Sequence, residues 1–381
     1  MVVLCPLLGL VALAIALPLV ALATRAGRRL GLLDQPGAEA HKRHTHAVPT
    51  TGGIGIFIAI AVPMLGIIAA AWLVPVDAWS GPLAAVAQHV EGLRRTTPQG
   101  LAILTALLVM HVVGLVDDRV RLGPWSKLAA QVAVAAVLAV AFDVRVLHVL
   151  GAWGPAGVAL SVALSILWLV AITNAFNMLD NMDGLSAGVA AIIAAVYLGA
   201  TLLGGQWFVA SLAALLLGAL VGFLVFNFPP AKVYMGDAGS LVVGLLLAVV
   251  SVKTTYFSGI SQDGLRAPGT WYAALMPLLV MAVPLYDFTS VTVIRALQGH
   301  SPFRGDTNHF SHRLVRKGLS RRAAVLVIWL ATAATALGGV TLARLPGWAA
   351  ALAAAQAAAV LTLLAVLERT PPTTPDENPH A

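Results

Sequence analysis

Charge and sulfur are what this sequence has least of. Only 10% of its 381 residues are Asp, Glu, Lys or Arg, against about 25% in an average soluble domain. Some 59% are apolar, and the mean hydropathy is +0.90. So little polar surface could not cover an ordinary soluble fold, and a disordered chain is excluded on the same grounds. The single cysteine, Cys5, lies in an apolar run, which rules out a disulfide scaffold and any zinc site built on cysteines. Apolar stretches are long and continuous rather than short and alternating, so a β-barrel does not fit. What remains is an all-α polytopic membrane protein.

A hydrocarbon core about 30 Å thick takes about 20 apolar helical residues to cross. That template predicts about eleven transmembrane helices, near 2–23, 53–73, 101–116, 126–142, 156–175, 185–203, 207–226, 239–256, 271–294, 323–343 and 348–367. Ala21-Leu22-Ala23 looks like a signal-peptide cleavage site. No basic segment precedes that run, however, and Arg25, Arg28 and Arg29 follow it, so it reads as a span with the N-terminus outside. With this count the cytoplasmic segments hold 17 of the 23 Lys and Arg, as the positive-inside rule requires. The C-terminus is then cytoplasmic. Residues 1–369 read as one integral-membrane domain and the Pro-rich 370–381 as a disordered cytoplasmic tail. The net charge of +7 is first a topology signal, and nothing in it points to nucleic acid.

Acidic residues number sixteen, and ionisable groups in or beside membrane spans default to functional readings. Asp117 and Asp118 end the third span, Asp180 and Asp183 the fifth; Asp237 opens the eighth, and Asp306 lies in the last large basic loop. All four places fall on the cytoplasmic side of the derived topology. Asn174, Asn177, Asn181 and Gly184 follow a 3–4–3 spacing that sets the amides on one helical face. Blander readings exist for each segment. Paired acids beside arginines can be solvated, amides can glue helices, an Asp at a helix start can be a cap, and a basic loop can face lipid headgroups. Convergence at one face favours a site. Carboxylates with an amide suit Mg²⁺ shared with substrate phosphates, and helix N-termini suit the phosphates themselves. A site at the membrane surface suits one lipid substrate and one soluble anion.

The strings VDDRVRLGPWSK, NAFNMLDNMDGLSAG, VYMGDAGSLVVG and GDTNHFSHRL, with the first loop AHKRHTHAVPTTGGIGI, resemble the signatures of the polyprenyl-phosphate N-acetylhexosamine-1-phosphate transferases. The resemblance runs over residues from about 25 to 325 in the family's motif order. It is nearest to the bacterial undecaprenyl- or decaprenyl-phosphate N-acetylglucosamine-1-phosphate branch. It implies attack of polyprenyl phosphate on the β-phosphate of a UDP-N-acetylhexosamine, with UMP leaving, at the cytoplasmic face of the bacterial inner (plasma) membrane. It also implies roles. Asp117 and Asp118 match the paired aspartates that act on the lipid phosphate. Asn177 and Asp237 match ligands of Mg²⁺, with Mn²⁺ as a substitute ion. Asn174, Asp180 and Asp183 match the nucleotide pocket, and Lys127 a phosphate contact. His309, His312 and Arg313 match the histidine loop, and Lys42 and His44 the basic first loop. A homodimer is compatible with it.

Three positions depart from the family pattern: Ser311 precedes His312 where a second histidine is usual, His41 stands where Arg is usual, and Asn181 where Gly is frequent. Two alternatives stand beside this reading. One is the sister phospho-MurNAc-pentapeptide transferase, which has consecutive histidines followed by Phe-Glu; no Glu occurs in 295–322. The other is a secondary transporter or flippase of an anionic substrate, which would set its acids at mid-bilayer.

Overall fold

The computed structural model describes residues 2–34, 47–75, 84–254, 258–260, 266–268, 271–301, 309–342 and 345–369. Helix dominates them, with two short antiparallel pairs, Leu33–Asp34 with Val48–Pro49 and Ser258–Ile260 with Arg266–Pro268. The helices are α1 (Leu4–Arg29), α2 (Gly52–Leu73), α3 (Ala84–Val120), α4 (Pro124–Ala141), α5 (Gly154–Leu179), α6 (Leu185–Leu203), α7 (Trp207–Asn227), α8 (Asp237–Lys253), α9 (Met276–Val280), α10 (Ala282–Leu297), α11 (Phe310–Arg316), α12 (Arg321–Thr341) and α13 (Gly347–Arg369). The expected tail 370–381 and the first-loop residues Lys42 and His44 lie outside the described residues, as does Asp306.

Nine helices among the described residues are long and apolar enough to cross a membrane, or ten if one bent pair is a single span. Of the eleven expected spans, two are not among these nine. The predicted span 239–256 is α8, only seventeen residues long, or about 25 Å at 1.5 Å per residue. The predicted span 271–294 is broken: Tyr272–Val280 and Ala282–Leu297 meet at 70°. Pro284 lies in the first turn after the break. It has no N–H to bond the Val280 carbonyl and its ring would clash there. The third span also begins well before its predicted start, since α3 runs for 37 residues and passes through Pro98.

Every residue of α8 from Ala238 to Ser251 is buried. A helix apolar on all sides belongs in the middle of a protein rather than at its edge. It packs against α2, α3, α5, α6 and α7, so its first turn is a fixed point around which the ends of several helices gather. Two glycines allow that approach. A Cβ on Gly114 of α3 would overlap the main chain at Ala238, and one on Gly53 of α2 the main chain at Gly239.

Candidate active site at the start of α8

The chain reaches α8 through Gly236, whose φ is +67°, a value that costs glycine little and other residues much. A side chain there would also meet Asp118 Oδ2 at 2.6 Å and the Thr50 carbonyl at 2.8 Å. Main-chain bonds fix the neighbours: Gly52 N–H donates to Tyr234 O and Gly53 N–H to Met235 O, both at 3.0 Å. The Thr-Thr-Gly-Gly opening of α2 is thereby seated beside the Gly-Asp-Ala-Gly-Ser turn.

Asp237 is the hub. Its Oδ2 accepts from Lys127 Nζ at 2.6 Å and its Oδ1 from Asn177 Nδ2 at 2.9 Å. Asn177 also donates to Ser240 Oγ at 2.8 Å. Lys127, near the start of α4, bridges to Asp117 Oδ2 at 2.9 Å, and Asp117 Oδ1 accepts from Leu122 N–H at 2.6 Å. One ammonium thus bridges two carboxylates from different helices. Asp118 accepts from the main-chain N–H groups of Asp237 (2.8 Å) and Ala238 (3.2 Å). The free donors at the α8 N-terminus, which the sequence suggested would face a phosphate, are occupied by this carboxylate.

The α5–α6 turn forms the next wall. Burial, with the carboxylates of Asp237, Asp118 and Asp183 nearby, pushes Asp180 up to about 8. Asp183 accepts from Ala231 N–H at 2.9 Å and so ties this turn to the segment leading into α8. Asn227 braces the same corner, accepting from Gly184 N–H and donating to Val233 O, each at 2.9 Å. Asn174 pairs with Gln131 of α4 one turn deeper.

Short helix α11 docks through three ties. Ser311 Oγ donates to Asn181 Oδ1 at 2.7 Å, and His309 Nδ1 meets Asp287 Oδ2 of α10 at 2.7 Å. Arg313 is held by Glu368 of α13 (2.8 Å), itself bonded by Tyr286 OH. Burial, with His309, Arg316 and Arg321 nearby, pushes His312 down to about 4, so its ring is neutral at physiological pH.

Asp117, Asp118, Lys127, Asn177 and Asp237 therefore form one bonded cluster, with Asp180 electrostatically coupled to it. Asp183 and Asn174 stand around it with their own local partners. His309 immediately precedes α11 and His312 lies on it, joined to the turn through Ser311. Arg313 is turned onto α13 instead. Sequence reasoning missed Gln131, Asn227, Asp287 and Glu368, and also His111, which bonds the Ala238 carbonyl at 2.9 Å and stacks on Phe57. Asp287 and His111 carried a usable signal, an ionisable residue inside an apolar run.

Among the described residues, no three His, Cys, Asp or Glu side chains gather into a metal cage. Asp237 offers carboxylate oxygens, and Asn177, whose Nδ2 now faces Asp237, would offer its amide oxygen on turning the amide over, a sparse, hard donor set. That set fits Mg²⁺, which commonly takes one or two protein ligands and completes its shell with water and substrate phosphates.

The model of a family described as Glycosyl transferase family 4 matches residues 100–255, a range that contains the whole cluster. The probable undecaprenyl-phosphate N-acetylglucosaminyl 1-phosphate transferase of Bacillus subtilis (strain 168) is 30% identical over 316 residues, covering 80% of this chain and 76% of that protein. The decaprenyl-phosphate N-acetylglucosaminephosphotransferase of Mycobacterium tuberculosis is 35% identical over 334 residues, 81% of this chain and 75% of that protein. The undecaprenyl-phosphate alpha-N-acetylglucosaminyl 1-phosphate transferase of Escherichia coli (strain K12) is 28% identical over 329 residues, 84% and 78%.

Proposed function

The chain belongs to glycosyl transferase family 4, and we propose that it transfers N-acetylglucosamine-1-phosphate from UDP-N-acetylglucosamine to a polyprenyl phosphate. The products are polyprenyl-diphosphate N-acetylglucosamine and UMP. One observation carries this reading: helices α3, α4, α5 and α8 bring Asp117, Lys127, Asn177 and Asp237 into a single bonded cluster. The relatives' names supply the polyprenyl phosphate and the N-acetylglucosamine phosphate group, and the UDP carrier comes from the motif resemblance.

In this reading Asp237 and Asn177 hold Mg²⁺, which when bound neutralises phosphate charge and polarises the diphosphate. Asp117 faces the attacking lipid phosphate. Lys127 orients Asp117 and Asp237 and offers an ammonium to phosphoryl oxygens. Asn174, Asp180 and Asp183 line the nucleotide side. His309 and His312 approach the sugar-phosphate from α11. Lys42 and His44 add positive charge from the first loop. Asp118 is assigned a positioning part, because both its oxygens hold the α8 main chain.

The active face is cytoplasmic in this reading, at a bacterial plasma membrane. Eleven crossings follow if α8 and the bent α9–α10 pair each count as one. The cluster sits at helix ends, which disfavours a transporter with a mid-bilayer site. The test is purified protein with UDP-N-acetylglucosamine, polyprenyl phosphate and Mg²⁺. Equimolar UMP and lipid-linked sugar support the reading, and their absence in active-site-intact protein rejects it.

A further inference from the structure

Asp287 was not expected to matter, yet it is completely buried, and so is nearly all of His309, at 5% exposure. Both carboxylate oxygens are spoken for. Oδ2 lies 2.7 Å from His309 Nδ1 and Oδ1 accepts the Phe310 main-chain N–H at 3.1 Å. As an ionised carboxylate Asp287 has no proton to give and can only accept. His309 Nδ1 therefore carries a proton, and Nε2 is left as the ring's other hydrogen-bonding atom. A second ring nitrogen is set by the bond the first one makes.

We infer that Asp287 is a positioning residue for His309. It fixes the ring's orientation and tautomer so that Nε2 is the atom that meets the sugar-phosphate. With the ring neutral, Nε2 accepts from a hydroxyl or amide N–H of the sugar. With the ring protonated, the Asp287 carboxylate balances the charge and Nε2 donates to a phosphoryl oxygen. What His309 meets rests on the transferase reading; the tautomer does not. The surrounding ties fit the same purpose. Ser311 anchors α11 to Asn181 of the active-site turn, and Arg313 anchors it to Glu368. Asp287 thus holds the ring itself, while the other two ties hold the helix that follows it.

An asparagine at 287 offers one acceptor to two donors. Its amide would oppose either Phe310 N–H or His309 Nδ1–H, and the ring can relieve this only by moving its proton to Nε2. Asp287→Asn is therefore expected to lower kcat roughly 10²–10⁴-fold, with a smaller change in KM for UDP-N-acetylglucosamine. Little further loss is expected on adding it to His309→Gln, because both variants break one unit. The direct measurement is ¹⁵N NMR of histidine-labelled wild-type protein, with the His309 signal assigned by its disappearance in His309→Gln. A protonated Nδ1 supports the inference, and an unprotonated Nδ1 overturns it, whether or not Asp287→Asn folds. Full wild-type kcat in a folded Asp287→Asn protein, or losses that add with His309→Gln, also overturns it. A wild-type protein that yields neither UMP nor lipid product would reject the transferase reading and leave the tautomer result standing.

Discussion

Asp118 caps a helix to which it does not belong: its carboxylate takes the main-chain N–H groups of Asp237 and Ala238. The acid at the end of α3 thereby fixes the main chain that carries the site's central carboxylate. Removing a cap costs about 1 kcal/mol, because main-chain donors at the helix start lose their partner. Asp118→Ala is expected to lower the thermal midpoint in detergent, and Asp118→Asn, which keeps one acceptor, to lower it less. An unchanged midpoint in Asp118→Ala would show that the cap contributes nothing.

Asp117 has a different task. It shares the Lys127 ammonium with Asp237, and it is the member of the acid pair proposed to face the lipid phosphate. Asp117→Asn is expected to lower kcat with little change in KM for the UDP-sugar, the pattern of an interaction made in the transition state. Steady-state kinetics in which only KM moves would assign Asp117 to donor binding instead.

Lys127→Met leaves two partly buried carboxylates without their shared cation. Loss of one preorganised charge of this kind costs roughly 10²–10³-fold in rate. A stopped UMP-release assay should show that loss, with Lys127→Arg recovering little of it because a guanidinium cannot occupy the same narrow bridge. Turnover near wild type in Lys127→Met would remove the bridge from the mechanism.

Asp180 makes stability depend on pH. Its carboxyl is pushed up to about 8 in the fold, against about 3.9 in an unfolded chain. Between those values the folded state holds more protons than the unfolded one, so this group lowers stability as pH rises from about 4 to about 8. In EDTA, Asp180→Asn should therefore gain in thermal midpoint over wild type at pH of about 8 and gain little at about 4. A difference between the two proteins that is the same at both pH values would contradict the assigned cause.

Donor choice rests on the N-acetylglucosamine in the relatives' names and on the 295–322 segment, which holds no Glu where the pentapeptide branch has Phe-Glu. A site built to hydrogen-bond one sugar can reject an analogue by about 10⁴-fold, since its own polar groups would be left unpaired. With UDP-N-acetylglucosamine and UDP-MurNAc-pentapeptide at equal concentration, the N-acetylglucosamine lipid should dominate. Predominance of the pentapeptide product would move the chain to the sister branch.

The long apolar runs made most of the helices readable, and the scarcity of acids made the cluster readable. Asp117, Asn177 and Asp237 stood out because a carboxylate or amide at a span end has few bland uses. The break at Met281 was less legible, since hydropathy averages over a proline that interrupts the main-chain ladder. Asp118's cap and Arg313's partner could not be read at all. Each depends on a residue more than fifty positions away, brought close only by packing around α8 and α13. Asp287 was legible in principle as a lone acid in an apolar run, but its partner His309 lies beyond the loop that follows.

The most direct measurement follows the β-phosphorus of the donor. UDP-N-acetylglucosamine labelled at that atom is incubated with the purified protein, polyprenyl phosphate and Mg²⁺, beside Asp237→Asn and an EDTA control. A sugar-1-phosphate transferase carries the label into the lipid fraction and releases unlabelled UMP. The Asp237→Asn rate should fall about 10³-fold or more, as expected for loss of a metal ligand, and EDTA should stop turnover. Label recovered in released UDP, with sugar but no label in the lipid, would mean transfer of the sugar alone and would contradict the proposed reaction.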